Sequence, residues 1–419
     1  MRNALVVADD LTGAMDTGHG FAGRGRGVRV RRSVGTGPAD DTDAESDVLV
    51  VDTDSRDADP ETAATAVARA VETYPARLVY KKIDSTLRGN VVADVDAALA
   101  AARARLAVVA PAFPATDRTT EDGRHLVDGT PLAATGYGVA ESDLREYFAA
   151  SEYPVAHLDG DTADAGPAAV GAFLADRAAA ERPTLVVCDA RSDDHLAAIA
   201  TGAASLDATP LYVGSGGLAA RVALAGEPPG SPPDVSTDPR RSGVLGVVGS
   251  VNDRTLAQLD AVDGEAVVAL DPAAAVRDPE SAGRAAAESL SALLDWRGRA
   301  VVTAARSRED VVAAERAADA VNADLTAADR IAAALAAAAR ATVEASPPAG
   351  LVLTGGDTAG AVLDGVGAGE LALTGESVAA GVPVGTVATG SAAGTRVVTK
   401  AGGFGSERVI LNCLDALGR

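Results

Sequence analysis

Short β-branched runs alternate with alanine-rich stretches along almost the whole chain, and this alternation constrains the fold more than any other feature. It is the pattern of parallel sheets with crossover helices. In the first half, strands are predicted at residues 4–8, 28–32, 47–51, 77–82, 106–110, 154–158, 184–188 and 211–214. Helices are predicted at 60–73, with Pro60 in a first-turn position, and at 91–103, 166–180 and 193–204. Residues 226–242, GEPPGSPPDVSTDPRRS, are rich in Pro, Gly and Ser without apolar periodicity and read as a linker. A second α/β unit follows, with strands at 243–248, 266–270, 299–303 and 350–354, a helix at 327–345 capped by Thr326, and a glycine-rich tail ending in a helix near 406–417. The fold class expected is α/β: two α/β domains with mainly parallel sheets, residues 1–225 and 243–419, joined by a Pro/Gly-rich linker.

The charge balance weighs against some functions. With 37 basic against 59 acidic residues and a formal net charge of −22, nucleic-acid binding is disfavoured, because it needs a basic surface to replace counterions. Lys81, Lys82 and Lys400 are the chain's three lysines; every other basic residue is arginine. Abundant acids, scarce lysine and high alanine fit a salt-rich cytoplasm, where ions screen the self-repulsion. Cys188 and Cys413 read as reduced core thiols, and the four histidines show no metal-ligand spacing. The first eight residues form a strand-like run rather than a leader. No stretch reaches membrane-spanning length without charge or many Gly and Ser residues, so a cytoplasmic enzyme is expected.

Three polar segments follow predicted strands of the first domain. Residues 4–8 run directly into Asp9 and Asp10, where the carboxyl end of a strand presents two acids suited to hydroxyl groups. Such a pair also serves as a helix N-cap. The second segment is Asp84-Ser85-Thr86-Leu87-Arg88-Gly89-Asn90. Arg88 offers a planar fork for a carboxylate, and Asp84 and Ser85 can hold hydroxyls; an ordinary surface turn with an Arg–Asp pair is the simpler reading. Lys81 and Lys82 point to opposite faces of their strand, so one at most serves a given site. The third segment, 111–118 continuing to 129–132, reads as a long polar loop with Arg118 as a second cation. Together the three suggest a pocket for a small polyhydroxy carboxylate.

The second domain carries three glycine turns, each after a predicted strand: Gly249-Ser250, then Gly355-Gly356-Asp357-Thr358, then Gly402-Gly403 within 400–405. Such turns let backbone N–H groups and helix N-termini approach phosphate oxygens. There is no P-loop lysine, no GxGxxG after the first strand and no protein-kinase HRD and DFG pair.

The motifs ADDLTGAMDTG (8–18), KKIDSTLRGN (81–90), PAFP with Arg118, VGSGGLA (213–219), TGGDTAGAVL (354–363), GVPVG (381–385) and KAGGFGS (400–406) occur in that order. In this the chain resembles the four-carbon acid sugar kinase family. The resemblance implies a sugar-acid domain at 1–225, a nucleotide domain at 243–419, ATP with Mg2+, and transfer to a terminal hydroxyl; a homodimer is a further expectation. By motif, ATP contacts fall on Ser250, Gly355, Gly356, Asp357, Thr358, Gly402 and Gly403. Substrate contacts fall on Asp9, Asp10, Lys82, Asp84, Ser85, Arg88 and Arg118, and Asp357, Asp10 and Asp84 are the candidates for orienting or accepting the hydroxyl proton. The sequence departs from the family at Val251 and Asn252, where Cys and Ser are usual, at Asp117, where Gly is usual, and at Gly403, where Asn is frequent. A nicotinamide-dependent sugar-acid dehydrogenase and a sugar-acid sensor without turnover are the alternatives. The absent GxGxxG argues against the first and the nucleotide-type glycine turns against the second.

Overall fold

The computed structural model describes residues 2–33, 46–226, 241–321 and 325–418. The chain divides into two compact units, Met1–Ser231 and Pro232–Arg419. Most of the predicted linker, residues 227–240, lies outside the described residues.

The first unit is built on the strands β1 (Arg2–Ala8), β2 (Val28–Arg31), β3 (Val48–Asp52), β4 (Ala76–Lys82), β5 (Leu106–Ala110), β6 (Arg118–Glu121), β7 (Arg124–Val127), β8 (Thr130–Pro131), β9 (Val155–Leu158), β10 (Thr184–Cys188) and β11 (Leu211–Gly214). Eight of them form a parallel run in the order β2-β3-β1-β4-β11-β5-β10-β9. Residues in β1, β3, β5 and β10 are buried along nearly their whole length, as the apolar runs require when helices cover both faces. The strand order reverses at β1, whose neighbours β3 and β4 continue the chain on opposite sides. That reversal opens a crevice at the carboxyl ends of β1 and β4.

Residues 118–131 depart from expectation. The segment read as a long polar loop is a three-stranded antiparallel sheet, β6-β7-β8. Its turns are Asp122-Gly123 and Asp128-Gly129, with φ of 49° and 78°, then 50° and 72°. Positive φ at both positions suits the right-handed twist of two-residue hairpins, and Asp-Gly supplies it at low cost.

The second unit contains β12 (Val244–Val248), β13 (Val267–Ala269), β14 (Arg299–Thr303), β15 (Gly350–Thr354), β16 (Glu370–Ala379), β17 (Val382–Val387) and β18 (Arg396–Lys400) in the order β13-β14-β12-β15-β18-β17-β16. The first five are parallel; β17 and β16 run antiparallel at their end. The order reverses at β12, between β14 and β15. Helix Ala327–Ala345 begins with a full capping box, Thr326 with Asp329. Its small residues admit close packing: a Cβ on Gly283 of helix Pro279–Arg297 would stand 2.3 Å from the Ala334 carbonyl oxygen.

All three lysines are buried: Lys81 is 0%, Lys82 5% and Lys400 1% exposed. Among the described residues no helix is long and apolar enough to cross a membrane.

Candidate functional site

The acids after β1 are held by a residue that sequence reasoning missed. Arg56, in the turn after β3, donates from Nε to Asp9 Oδ2 at 2.8 Å and from Nη2 to Asp9 Oδ1 at 2.9 Å. It also donates from Nη1 to Asp10 Oδ2 and from Nη2 to Asp10 Oδ1, both at 2.8 Å. Asp10 caps helix Leu11–Ala22, accepting the Gly13 N–H at 2.9 Å. The two carboxyls titrate in opposite directions. Burial pushes Asp9 up, but Arg56, Lys81 and Lys82 outweigh it and the net is downward. Burial also raises Asp10; Arg56 opposes it, the adjacent Asp9 charge adds to it, and the net is upward. Beside them Asp52, at the end of β3, is pushed up to about 7 by burial, although it accepts the Asp54 N–H at 3.0 Å.

The alternation expected of β4 is present. Lys81 forms a buried ion pair with Asp94 of helix Val91–Ala102 at 3.0 Å. Lys82 instead reaches over helix Leu11–Ala22, where its Nζ would stand 3.0 Å from a Cβ on Gly13 and Asp10 Oδ1 2.5 Å from the same point. Among the described residues the Lys82 ammonium has no hydrogen-bond or ion-pair partner.

Arg88 does not bond to Asp9 or Asp10. Its Nε donates to Asp84 Oδ2 at 2.7 Å and its Nη2 to Asp84 Oδ1 at 3.2 Å. Burial alone would raise Asp84, but the bond and charge of Arg88 hold it well below the usual carboxylate range. Leu87 adopts φ 56° while fully buried, a conformation unusual for a bulky residue. It is held there by its own N–H to the Asp84 carbonyl at 2.9 Å and by the Tyr147 hydroxyl donating to its carbonyl at 3.0 Å. The turn sends Arg88 outward, its guanidinium 5.8 Å from the Tyr137 ring centroid. Arg118 donates to the Tyr137 hydroxyl at 3.3 Å. Two guanidiniums therefore flank one exposed tyrosine, a donor set suited to a carboxylate.

The hairpin sheet is tied to this turn through His125. The imidazole is fully buried, so it stays neutral: burial pushes it down to about 4. Its Nε2–H donates to the Ser85 carbonyl at 2.7 Å, which leaves Nδ1 to accept from Thr120 Oγ1 at 3.0 Å. Asp117, where the family usually has Gly, lies at φ 59°, a conformation glycine adopts freely. The last element is the VGSGGLA turn after β11. A Cβ on Gly217 would lie 2.6 Å from the Ala112 carbonyl oxygen and one on Gly216 2.4 Å from Asp16 Oδ2, so the turn packs without side chains against the PAFP segment and helix Leu11–Ala22.

In the second unit the three glycine turns meet at the carboxyl ends of β12, β15 and β18. A Cβ would stand 1.9 Å from Thr358 Oγ1 on Gly249, 3.3 Å from the Ser250 nitrogen on Gly355, and 2.3 Å from Ser250 Oγ on Gly402. Gly355 has φ 91° and starts helix Gly356–Gly365 without a side-chain cap, so the helix presents its first N–H groups at these turns. Asp357 is exposed in the first turn and Thr358 is buried. The loop after β18 closes around Lys400, whose ammonium donates to the carbonyls of Ala401 at 2.8 Å, Gly402 at 3.1 Å and Phe404 at 3.3 Å. Gln258 Nε2 donates to the carbonyls of Phe404, Gly405 and Ser406 at 2.9–3.3 Å. The carbonyls of this loop are thus gathered around Lys400 and Gln258, beside a helix start that lacks a side-chain cap, and uncapped helix N-termini at glycine turns are the kind of feature that takes phosphate oxygens. Burial lowers Lys400 to about 8. Asn252 caps helix Asp253–Asp260, accepting the Arg254 N–H at 3.0 Å, a task equally open to the family's usual serine. Among the described residues no group of three or more His, Cys, Asp or Glu is arranged for a metal ion.

Known proteins share this organisation. Residues 4–222 match the family model for a sugar-binding N-terminal domain, and residues 245–410 that for a nucleotide-binding C-terminal domain. The chain is 35% identical to a D-threonate kinase of Salmonella typhimurium over 73% of this chain and 72% of that protein. It is 36% identical to a D-threonate kinase of Bordetella bronchiseptica over 98% and 96%, and 32% identical to a D-erythronate kinase of Heliobacterium modesticaldum over 63% and 61%. A crystal structure from Salmonella typhimurium LT2, described as that of a tRNA synthase, is 24% identical, covers 98% of both chains and has a TM-score of 0.79; at that identity the likeness is one of fold. With both domain models matched in order and a relative 36% identical over nearly the full length of both chains, the chain belongs to the four-carbon acid sugar kinase family.

Proposed function

We propose that this protein transfers the γ-phosphoryl group of ATP to a terminal hydroxyl of a four-carbon sugar acid of the threonate, erythronate or 3-oxo-tetronate type. The observation that carries this reading is the Arg88–Tyr137–Arg118 arrangement beside the acids after β1, in the unit matched as sugar-binding. Arg88 and Arg118 receive the substrate carboxylate. Asp9, Asp10, Lys82, Asp84 and Ser85 surround its hydroxyls, with Arg56 offsetting the acid pair so that it can exist buried. Ser250, Gly355, Gly356, Thr358, Gly402 and Gly403 hold the triphosphate, and Asp357 stands at the first turn of that cradle. Mg2+ would be held mainly by phosphate oxygens and water, with one carboxylate at most, and would supply charge neutralisation at the phosphates.

The excess of acids over bases and the absence of a membrane-crossing helix among the described residues support a cytoplasmic enzyme adapted to high salt. A homodimer rests on the family resemblance and is read by light scattering in KCl. The decisive experiment is a coupled ADP-release screen in concentrated KCl across tetronates, 3-oxo-tetronates and longer aldonates. ADP release with a four-carbon acid is expected; release with none, or only with longer acids, overturns the reading.

A further inference from the structure

Phosphorylating a hydroxyl requires a group that takes its proton. Of the three carboxylates first considered, Asp357 lies exposed at the glycine turns of the second unit, and the two in the sugar-binding unit, Asp84 and Asp10, are already engaged. Both Asp84 oxygens are bound by Arg88. Asp10 is bound by Arg56 through both oxygens and by the Gly13 N–H. Asp9 is chelated by Arg56, Asp94 is paired with Lys81, and Asp52 holds the Asp54 N–H.

Asp16 is different. It lies on helix Leu11–Ala22, keeps part of its surface open, and has no hydrogen-bond or ion-pair partner among the described residues. It stands three residues after Gly13, hence on the same helix face as the point reached by the Lys82 ammonium. That ammonium is itself buried and unpartnered. The opposite wall is Gly216, where a Cβ would meet Asp16 Oδ2 at 2.4 Å and the Phe113 ring at 3.2 Å. An acid and a base thus stand side by side at the carboxyl ends of β1, β4 and β11, each with hydrogen-bonding capacity unspent. Burial raises the Asp16 carboxyl, with Lys82 opposing and Asp10 adding, which strengthens it as a proton acceptor.

We propose that Asp16 accepts the proton of the acceptor hydroxyl while Lys82 donates a hydrogen bond to that hydroxyl's oxygen, an assignment that rests on the kinase reading above. As the oxygen bonds to the γ-phosphorus, the bond from phosphorus to the β–γ bridging oxygen breaks and ADP leaves with that electron pair. The hydroxyl proton passes to Asp16 Oδ2. The unengaged acid then serves the chemistry, and the clamped acids Asp9, Asp10 and Asp84 serve binding.

The test is Asp16→Asn, nearly isosteric, assayed with the four-carbon acid that the ADP-release screen selects. Turnover should fall by about 10²- to 10⁴-fold, while the sugar-acid Kd measured calorimetrically moves by less than about 3-fold. A kcat within about 10-fold of the parent, or a loss confined to affinity, overturns the assignment. Gly216→Ala is read in parallel, because it keeps Asp16 but drives a methyl group onto its Oδ2. It should lower kcat by at least about 10-fold, and an unchanged kcat places the carboxylate outside the reaction. Failure of the kinase reading is distinguishable, since it shows as a parent protein that releases no ADP, whereas failure of this assignment shows as an active Asp16→Asn variant.

Discussion

Arg56 and Asp9 meet as a two-pronged pair, Nε to Oδ2 at 2.8 Å and Nη2 to Oδ1 at 2.9 Å, and the same guanidinium also grips Asp10. Replacing Arg56 by Leu leaves two adjacent carboxylates without their counter-charge, one of them 3% exposed. The expected loss is about 3–5 kcal/mol of folding stability, the cost of orphaning buried charge. Denaturant titration in KCl measures it, and a change below about 1 kcal/mol, the range of a surface pair, would mean that solvent already neutralises the acids.

Arg88 behaves differently because nearly half of its side chain is exposed. Arg88→Ala takes the partner from the buried Asp84 carboxylate, so it should cost some folding stability, though less than Arg56→Leu, and it should raise the sugar-acid KM about 10- to 100-fold with kcat little altered, as expected for a group binding ground and transition states alike. Steady-state kinetics at saturating ATP decide this; unchanged kinetics remove Arg88 from the site.

Gly402 and Gly403 are adjacent but not equivalent. A Cβ on Gly402 meets Ser250 Oγ at 2.3 Å, whereas one on Gly403 meets nothing within 4 Å. Gly402→Ala should destabilise the protein by about 1–3 kcal/mol through overpacking, and Gly403→Ala by less than about 0.5 kcal/mol. Thermal unfolding without ligand makes the comparison, and equal shifts would contradict the packing described.

Lys400 shapes the same loop from inside. Lys400→Met keeps the apolar stem but removes the donor to three carbonyls. The ATP KM should rise at least about 10-fold while the sugar-acid KM stays near its original value. Parallel rises in both would make Lys400 a general stability residue.

His125 sets an acid limit. Burial holds its folded pKa at about 4, whereas the unfolded chain protonates near the ordinary histidine value of 6.5. Between these values the unfolded state binds the extra proton, so stability is full above about 6.5 and is lost as pH falls toward about 4. The groups facing the ring are the Ser85 carbonyl, the Thr120 hydroxyl, Arg118 and Asp84. His125→Gln should flatten this part of the stability curve; an unchanged slope assigns it to other groups.

The layered fold was legible because period and caps agree. Strands 106–110, 184–188, 211–214, 299–303 and 350–354 and helices 60–73, 193–204 and 327–345 have the boundaries expected, the helices beginning after the capping residues Asp59, Ser192 and Thr326. The hairpin sheet was obscured because RTTE and RHLV are short and polar, although two Asp-Gly pairs marked its turns. Arg56 could not be found because TDSRDAD looks like any polar turn; what gives it a role is β3 lying beside β1, a fact of strand order. Asp16 was visible within the ADDLTGAMDTG motif, but only packing distinguishes an unengaged acid from engaged ones.

Every lysine of this chain is enclosed, so its side-chain amines are spent on the interior and the outer cations are arginines. Lysine-directed chemistry such as acylation by active esters or aldehyde cross-linking therefore meets no exposed ε-amine on the folded protein. It becomes effective on unfolding, which makes acylation read at Lys81, Lys82 and Lys400 a reporter of the native state.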